Sequence, residues 1–544
     1  MCRRRSAGLG WLAPLGLAMV TLALAGCGGA GSSSISYRAP SYSDWPNFGR
    51  DRDGTRYAPQ TQINAGNLNR LGIAWSSDLG PAQYLVESYP IEVGGTLYVT
   101  TSTDEVQAYN AATGRLLWQY SPQVDFSQST GIGGYGVTTN RGVASDDGML
   151  FGLTFDDRLQ AISQATGEEL WSATVAADAT GAYETMAPTV YGGLVFVGIS
   201  GSQDGIRGFV AAYDEHTGKQ VWRFYTVPAA GTGWVPKGGG GGGVYMPPTV
   251  DTQTGLVYVG TSTPAPTIFG VGRAGPDLYT DSVLALDART GKLAWYYQEV
   301  PHDLWGYGAA SPVMIFNTRS HGRTVRAVAE AGKSGYVFIL NAGTGKPLFA
   351  PAAYVKEGHP PPTTKGTFVC PGSVGGSPYS PLALDPQVGA AYVAGVNLCQ
   401  VLKVTRTGGT GEKAYGGTRI TPHGEKPTGT FDAVNVTTGK FLWKRSMPTP
   451  MIGGAVATAS NLVFTGDQHG NLYAIDASTG QTRWQANLGL AFGSAPIVYT
   501  IGRTEYIASA IGGSATTASN HLGPTGARLV VLKLGGQPIT TSAP

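Results

Sequence analysis

A turn of the form Asp/Asn-x-x-Thr-Gly-x-x-x-Trp recurs along this chain, and no other feature restricts its fold as much. Copies stand at Asn110…Thr113-Gly114…Trp118, Thr166-Gly167…Trp171, Asp214…Thr217-Gly218…Trp222 and Asp287…Thr290-Gly291…Trp295. Three more follow at Asn341…Thr344-Gly345…Phe349, Asn435…Thr438-Gly439…Trp443 and Asp476…Thr479-Gly480…Trp484. Asp or Asn bonds the backbone as the turn opens, and Gly supplies a positive φ where a side chain would clash. The residues before each turn alternate as strands do, as in Gly95-Thr96-Leu97-Tyr98-Val99-Thr100. A single blade cannot bury its Trp, so blades must stack, each ring against the next blade's turn. The expected fold is all-β, an eight-bladed β-propeller. Seven copies are plain, and Leu384-Asp385-Pro386-Gln387-Val388-Gly389 reads as a degenerate eighth. Closure is expected to pair Ala527 to Leu534 with strands near Ala74-Trp75, which removes the exposed edges.

Composition agrees: 81 Gly, 34 Pro and only 13% charged residues describe a turn-rich β body. A net charge of +2 without a basic stripe argues against nucleic acid as a partner. The N-terminus is read as separate from the fold. Arginines at 3 to 5 and an apolar run from Leu9 to Ala25 lead into Leu24-Ala25-Gly26-Cys27, the pattern of a bacterial lipoprotein signal. Residues 1–26 are then the signal peptide, Cys27 carries the lipid, and 27–40 form a Gly/Ser tether; a plain transmembrane anchor is the alternative. Residues 41–536 make the propeller and 537–544 a tail. The protein is expected to be exported and held at a membrane of the cell envelope by its acyl groups, facing the periplasm or the exterior. Cys370 and Cys399 remain, as a disulfide or as two buried thiols.

The repeat, with Asp44-Trp45-Pro46, Thr55-Arg56-Tyr57, Asn140-Arg141-Gly142-Val143-Ala144 and Pro301-His302-Asp303-x-Trp305, resembles the quinoprotein alcohol dehydrogenases. These use pyrroloquinoline quinone (PQQ) on the propeller axis, and the resemblance covers essentially the whole mature chain. It implies a Cys370–Cys399 disulfide and a set of PQQ contacts. Glu87 and Arg141 match residues that reach the cofactor and pair with its carboxylate. Thr154, Thr185 and Ala187 fall where hydroxyls and amides line the ring. Tyr245 takes the place of the stacking Trp, and Lys333 that of the cation near the quinone oxygens.

The centre departs from the family pattern. Gln203 replaces a metal-ligating Glu, Thr263 replaces an Asn ligand, and Gly306 and Gly308 stand where the family has the base and an extra lanthanide carboxylate. Both remaining metal ligands are neutral and weak, which leaves Ca²⁺ or a lanthanide doubtful, since a hard cation wants anionic oxygen. Asp204 adjoins Gln203, but on a strand a shift of one residue would turn it away. The vicinal cysteines are absent; Ile132-Gly133-Gly134-Tyr135 lies in that region. The seven His residues show no zinc-binding spacing.

Two functions are therefore expected in competition. One is a PQQ-dependent oxidoreductase acting on alcohols or polyols with an atypical metal site. The other is a non-catalytic envelope propeller that binds a ligand or acts as a scaffold. With no Cys-x-x-Cys-His haem motif in the chain, electrons from an enzyme would leave to a separate acceptor.

Overall fold

The computed structural model describes residues 43–82, 84–126, 138–176, 181–237, 239–268, 270, 272–309, 311–406, 415–513 and 525–539. The expected signal, Cys27 and the tether lie outside the described residues, as does the 132–135 stretch. No helix among the described residues is long and apolar enough to cross a membrane.

Among the described residues, eight sheets of four or more strands follow one another along the chain, antiparallel throughout except where Tyr57–Ala58 adds to the seventh in parallel with Ala455–Thr458. The first runs Ile91–Val93, Thr96–Thr100, Val106–Asn110 and Leu116–Tyr120; the second, Ala144–Asp146, Met149–Thr154, Arg158–Ser163 and Glu169–Thr174. The third comprises Thr189–Tyr191, Leu194–Val197, Phe209–Asp214 and Gln220–Tyr225. Each repeated turn joins the third and fourth strands of a sheet. In the first, the Asn110 carboxylate-like amide oxygen accepts from the backbone N–H and hydroxyl of Thr113, at 3.0 and 2.9 Å. In the fourth, Asp287 does the same for Thr290 at 2.8 and 2.7 Å.

The eighth sheet is built from both ends of the chain. Ile497–Ile501, Thr504–Gly512 and Thr525–Leu534 come from the C-terminal part, and Leu71–Ala82 adds the fourth strand beside Thr525–Leu534. Trp75 on that strand takes the place of the motif Trp, so the eighth copy is split between distant parts of the sequence. The Leu384–Gly389 stretch is not that copy. It joins Ala383–Asp385 to Ala390–Asn397, the first two strands of the sheet whose repeated turn is Asn435–Gly439. Its Asp and Gly are there because any tight hairpin wants them. The long spacing before Gly439 is instead filled by an added three-stranded sheet of Thr367–Val369, Gln400–Arg406 and Tyr415–Ile420.

The turn glycine of each repeat lies under an aromatic ring of the neighbouring sheet. A Cβ built at Gly114 would meet Trp75 at 2.6 Å, at Gly167 Trp118 at 2.5 Å, and at Gly291 Trp222 at 2.5 Å. Phe349 packs in the same way on Gly439, and Trp443 on Gly480. The indole N–H then donates to a backbone carbonyl of that turn, as Trp222 does to Ala288 at 2.9 Å and Trp295 to Ala342 at 2.8 Å. The seventh and eighth sheets share a core that contains Trp484, Phe464, Tyr499 and Leu529. The same cluster reaches Leu97 and Tyr109 of the first sheet. Gly291→Ala is expected to lower stability by about 1–3 kcal/mol, because the methyl overpacks against Trp222 at a φ of +67°. A denaturant melt of the variant checks this; an unchanged midpoint would mean that the ring yields freely.

Candidate functional site

Loops that enter the first strand of successive sheets, with loops that leave the second, enclose a cavity of about 610 Å³. Glu87, Arg141, Thr185 and Tyr245 reach it from the first kind of loop; Gln203, Thr263 and Lys333 reach it from the second. Gly306 lines it as well. Thr154 and Ala187 do not. Thr154 is buried with its hydroxyl donating to Asp156 at 2.6 Å, and Ala187 packs among Tyr89, Met246 and Tyr379.

Arg141 organises one wall. Its guanidinium is 2.5 Å from the Glu87 carboxylate, donates to the Thr185 hydroxyl at 2.5 Å and to the Tyr245 carbonyl at 3.1 Å. It also lies over the rings of Tyr379 and Tyr245, at 5.0 and 5.6 Å from their centroids. Burial raises the pKa of Glu87 against the opposing pull of Arg141 and the Tyr379 phenol. Lys333 contrasts with this pair. Its ammonium makes no hydrogen bond or ion pair among the described residues and stands 6.0 Å from the Tyr245 ring centroid. Burial first, then the neighbouring Arg419, lowers its pKa to about 8.

The loop around Gly306 is held from beneath. Asp303, fully buried, accepts the backbone N–H groups of Trp305, Gly306 and Tyr307 at 2.8, 3.0 and 2.9 Å. Asp281 accepts that of Gly308 at 2.8 Å, and burial with the adjacent Asp303 raises its pKa well above the usual carboxylate range. Gly306 has a φ of +82°, and a Cβ there would lie 2.8 Å from the Thr267 methyl and 3.7 Å from the Arg419 guanidinium. The backbone is therefore shaped for glycine, and Gly306→Asp would be strained.

Gln203 lies in a 3₁₀ turn, Ser202–Asp204, and not on a strand. Its amide donates to the Tyr183 hydroxyl at 2.8 Å and to Asp204 at 3.2 Å, so Asp204 lies beside Gln203 and is not turned to an opposite face. The Thr263 hydroxyl donates to the Pro264 carbonyl at 3.2 Å. Cys370 and Cys399 form a disulfide with Cα atoms 4.5 Å apart, joining two strands of the added sheet. That sheet brings Arg419, Ile420 and Gln400 to the cavity. Sequence reasoning missed them, as it did Tyr183 and Tyr379, because they belong to no repeated motif.

A family model for the β-propeller domain of PQQ-dependent glucose, ethanol and alcohol dehydrogenases matches residues 45–353 and 351–507. The chain belongs to this quinoprotein family. The quinohemoprotein alcohol dehydrogenase of Comamonas testosteroni is 33% identical over 533 residues, covering 88% of this chain and 75% of that protein. Its crystal structure superposes with a TM-score of 0.83 over 92% of this chain and 82% of that one, at 29% identity. A lupanine 17-hydroxylase (cytochrome c) of a Pseudomonas species is 29% identical, over 98% of this chain and 83% of its own. A europium-containing methanol dehydrogenase matches with a TM-score of 0.78, at 26% identity, over 91% of this chain and 98% of that one. This quinoprotein kinship supports an oxidoreductase function, and the β-propeller fold is that of the family.

Proposed function

We propose that this chain is an eight-bladed, Trp-docked quinoprotein that binds PQQ in the cavity and oxidises alcohols or polyols. The single observation that carries the reading is Lys333, an unpartnered cation facing a cavity that also holds Arg141 and Arg419. A part-buried cation that makes no ion pair among the described residues is stabilised when an anion meets it. PQQ is flat and carries three carboxylates, and the cavity volume lies in the range of small-molecule sites. In this reading Lys333 and Arg141 neutralise the cofactor's carboxylates and oxygens, Tyr245 and Tyr379 offer ring faces, and Thr185 supplies a hydroxyl. When bound, PQQ supplies a two-electron acceptor for hydride from the alcohol carbon. Thr154 and Ala187 support the wall from behind.

The axis does not fit a hard divalent or trivalent cation. Gln203 and Thr263 offer neutral oxygens, Asp204 lies beside Gln203 but does not line the cavity, and Gly306 and Gly308 offer no carboxylate. No step is assigned to a metal there. Without a carboxylate base at position 306, alcohol oxidation is expected to run about 10²–10⁴-fold slower than with one. Electrons would pass to a separate acceptor, as the name lupanine 17-hydroxylase (cytochrome c) indicates for that relative. Export and a lipid on Cys27 complete the reading.

The test is a PQQ titration of the chain from about residue 32, with and without Ca²⁺ or La³⁺, alongside dye-linked alcohol oxidation. Saturable binding that needs no metal, with slow turnover, is expected. Absence of PQQ binding would overturn the reading. Binding without turnover would favour the non-catalytic ligand-binding propeller, for which the neutral Gln203 and Thr263 and the bare Gly306 speak.

A further inference from the structure

We propose that Asp147, Glu215 and His216 form a divalent transition-metal site of the zinc class, built by the turns of two neighbouring sheets. Asp147 sits in the hairpin between Ala144–Asp146 and Met149–Thr154 of the second sheet. Glu215 and His216 sit in the repeated turn between Phe209–Asp214 and Gln220–Tyr225 of the third. Ligand atoms of all three residues lie within 4.8 Å of one another, with His216 Nε2 3.4 Å from Glu215 Oε1. None of the three lines the axial cavity.

Glu215 points to a ligand. The residue is only 7% exposed, and its Oε2 is buried without a hydrogen-bond partner. The repeat supplies an internal comparison for this position. Its equivalents in the other six turns are Ala111, Gln164, Ala288, Ala342, Val436 and Ala477. What the scaffold needs there is the backbone: the Glu215 carbonyl accepts from the Trp171 indole at 3.1 Å, as the Ala111 carbonyl accepts from Trp75 at 3.1 Å. The docking geometry is therefore served by alanine, and the buried carboxylate is an addition that the fold does not require. A buried carboxylate with an open oxygen is unfavourable unless a proton or a cation meets it.

Burial, followed by Asp146, raises the pKa of Glu215. Arg52 is the nearby cation, but it pairs with Asp146 at 3.2 Å. The donor set decides the class of ion. One imidazole nitrogen and two carboxylates suit Zn²⁺ or a similar first-row ion, whereas Ca²⁺ and Mg²⁺ take all-oxygen sets. Zinc holds such donors at about 2.0–2.2 Å, so they stand roughly 3–4 Å from each other. Asp147 and His216 are exposed and can close that last distance by turning their side chains, with water in the fourth position. Bound there, the ion would clamp the second sheet to the third at the rim, independently of anything held on the axis.

The test uses the mature chain, stripped with a chelator and then titrated with Zn²⁺ by calorimetry and with Co²⁺ by visible absorption. One saturable equivalent is expected, with the ligand-field bands of a low-symmetry Co²⁺ site. Glu215→Ala should fold and melt as the metal-free parent does, because alanine serves this position in four sister turns. It should nevertheless bind more than about tenfold more weakly, the smallest loss that even an outer-shell change typically causes. His216→Ala should do the same, and Zn²⁺ should raise the melting temperature of the parent but of neither variant. Absence of saturable binding, or binding that survives both substitutions, would overturn the proposal.

Discussion

Arg141→Met is expected to cost about 3–5 kcal/mol of stability, the usual result of breaking a buried ion pair from one side. Glu87 would be left 1% exposed with its counter-ion gone, and Thr185 and the Tyr245 carbonyl would each lose a charged donor. Because burial already raises the pKa of Glu87, the stranded carboxyl takes up a proton more readily in the folded than in the unfolded chain. The deficit of the variant should therefore grow as the pH rises and shrink as it falls. Arg141→Met combined with Glu87→Leu removes both charges and should recover most of the loss. Denaturant midpoints of the parent, the single and the double variant measure this. A single variant no less stable than the double would show that the pair contributes nothing beyond packing.

Lys333→Met should act on ligand binding with little loss of stability. Losing one charge-assisted contact to an anion costs about 1.5–3 kcal/mol, which is about 10–100-fold in affinity. The pH dependence follows from the amine's pKa of about 8 against an ordinary 10.5. Between those values the unfolded chain holds more protons than the folded one, so the stability of the ligand-free protein should rise with pH across that window. Anion binding has the opposite sign. PQQ needs the protonated amine, so its affinity should fall as the pH passes about 8. In Lys333→Met both pH effects should vanish, while affinity at pH 7 is already low. Titrations at pH 7 and pH 9 decide it, and a variant that binds PQQ as tightly as the parent at pH 7 would remove Lys333 from the site.

The repeated Thr-Gly…Trp turn carries its own physics in local sequence. A polar residue that caps a turn, a Gly at positive φ and a ring eight residues past the cap work in the same way in all seven copies. That is why the all-β class, the stacking of sheets and the pairing of Ala527–Leu534 with the Ala74-Trp75 strand were legible without coordinates. Trp75 was harder to place as a member of the series, because its turn partner lies near the other end of the chain. Leu384–Gly389 imitated the signal, since hairpins of different position use the same residue types.

The cavity was legible only in part. Glu87, Arg141, Thr185, Tyr245 and Lys333 could be named from motifs, and the structure brings them to one cavity. Arg419 and Gln400 could not, because they arrive on an added sheet with no periodic sequence. Nor could any spacing rule reveal Asp147 beside Glu215 and His216, which are 68 and 69 residues further along the chain. By itself the sequence determined the architecture, because strands and turns are made by near neighbours. Only the tertiary structure decided which charges are paired, which cation meets the cavity without an ion pair among the described residues and which carboxylate is buried with an open oxygen. Those facts depend on side chains that meet across sheets, and on how little water reaches them there.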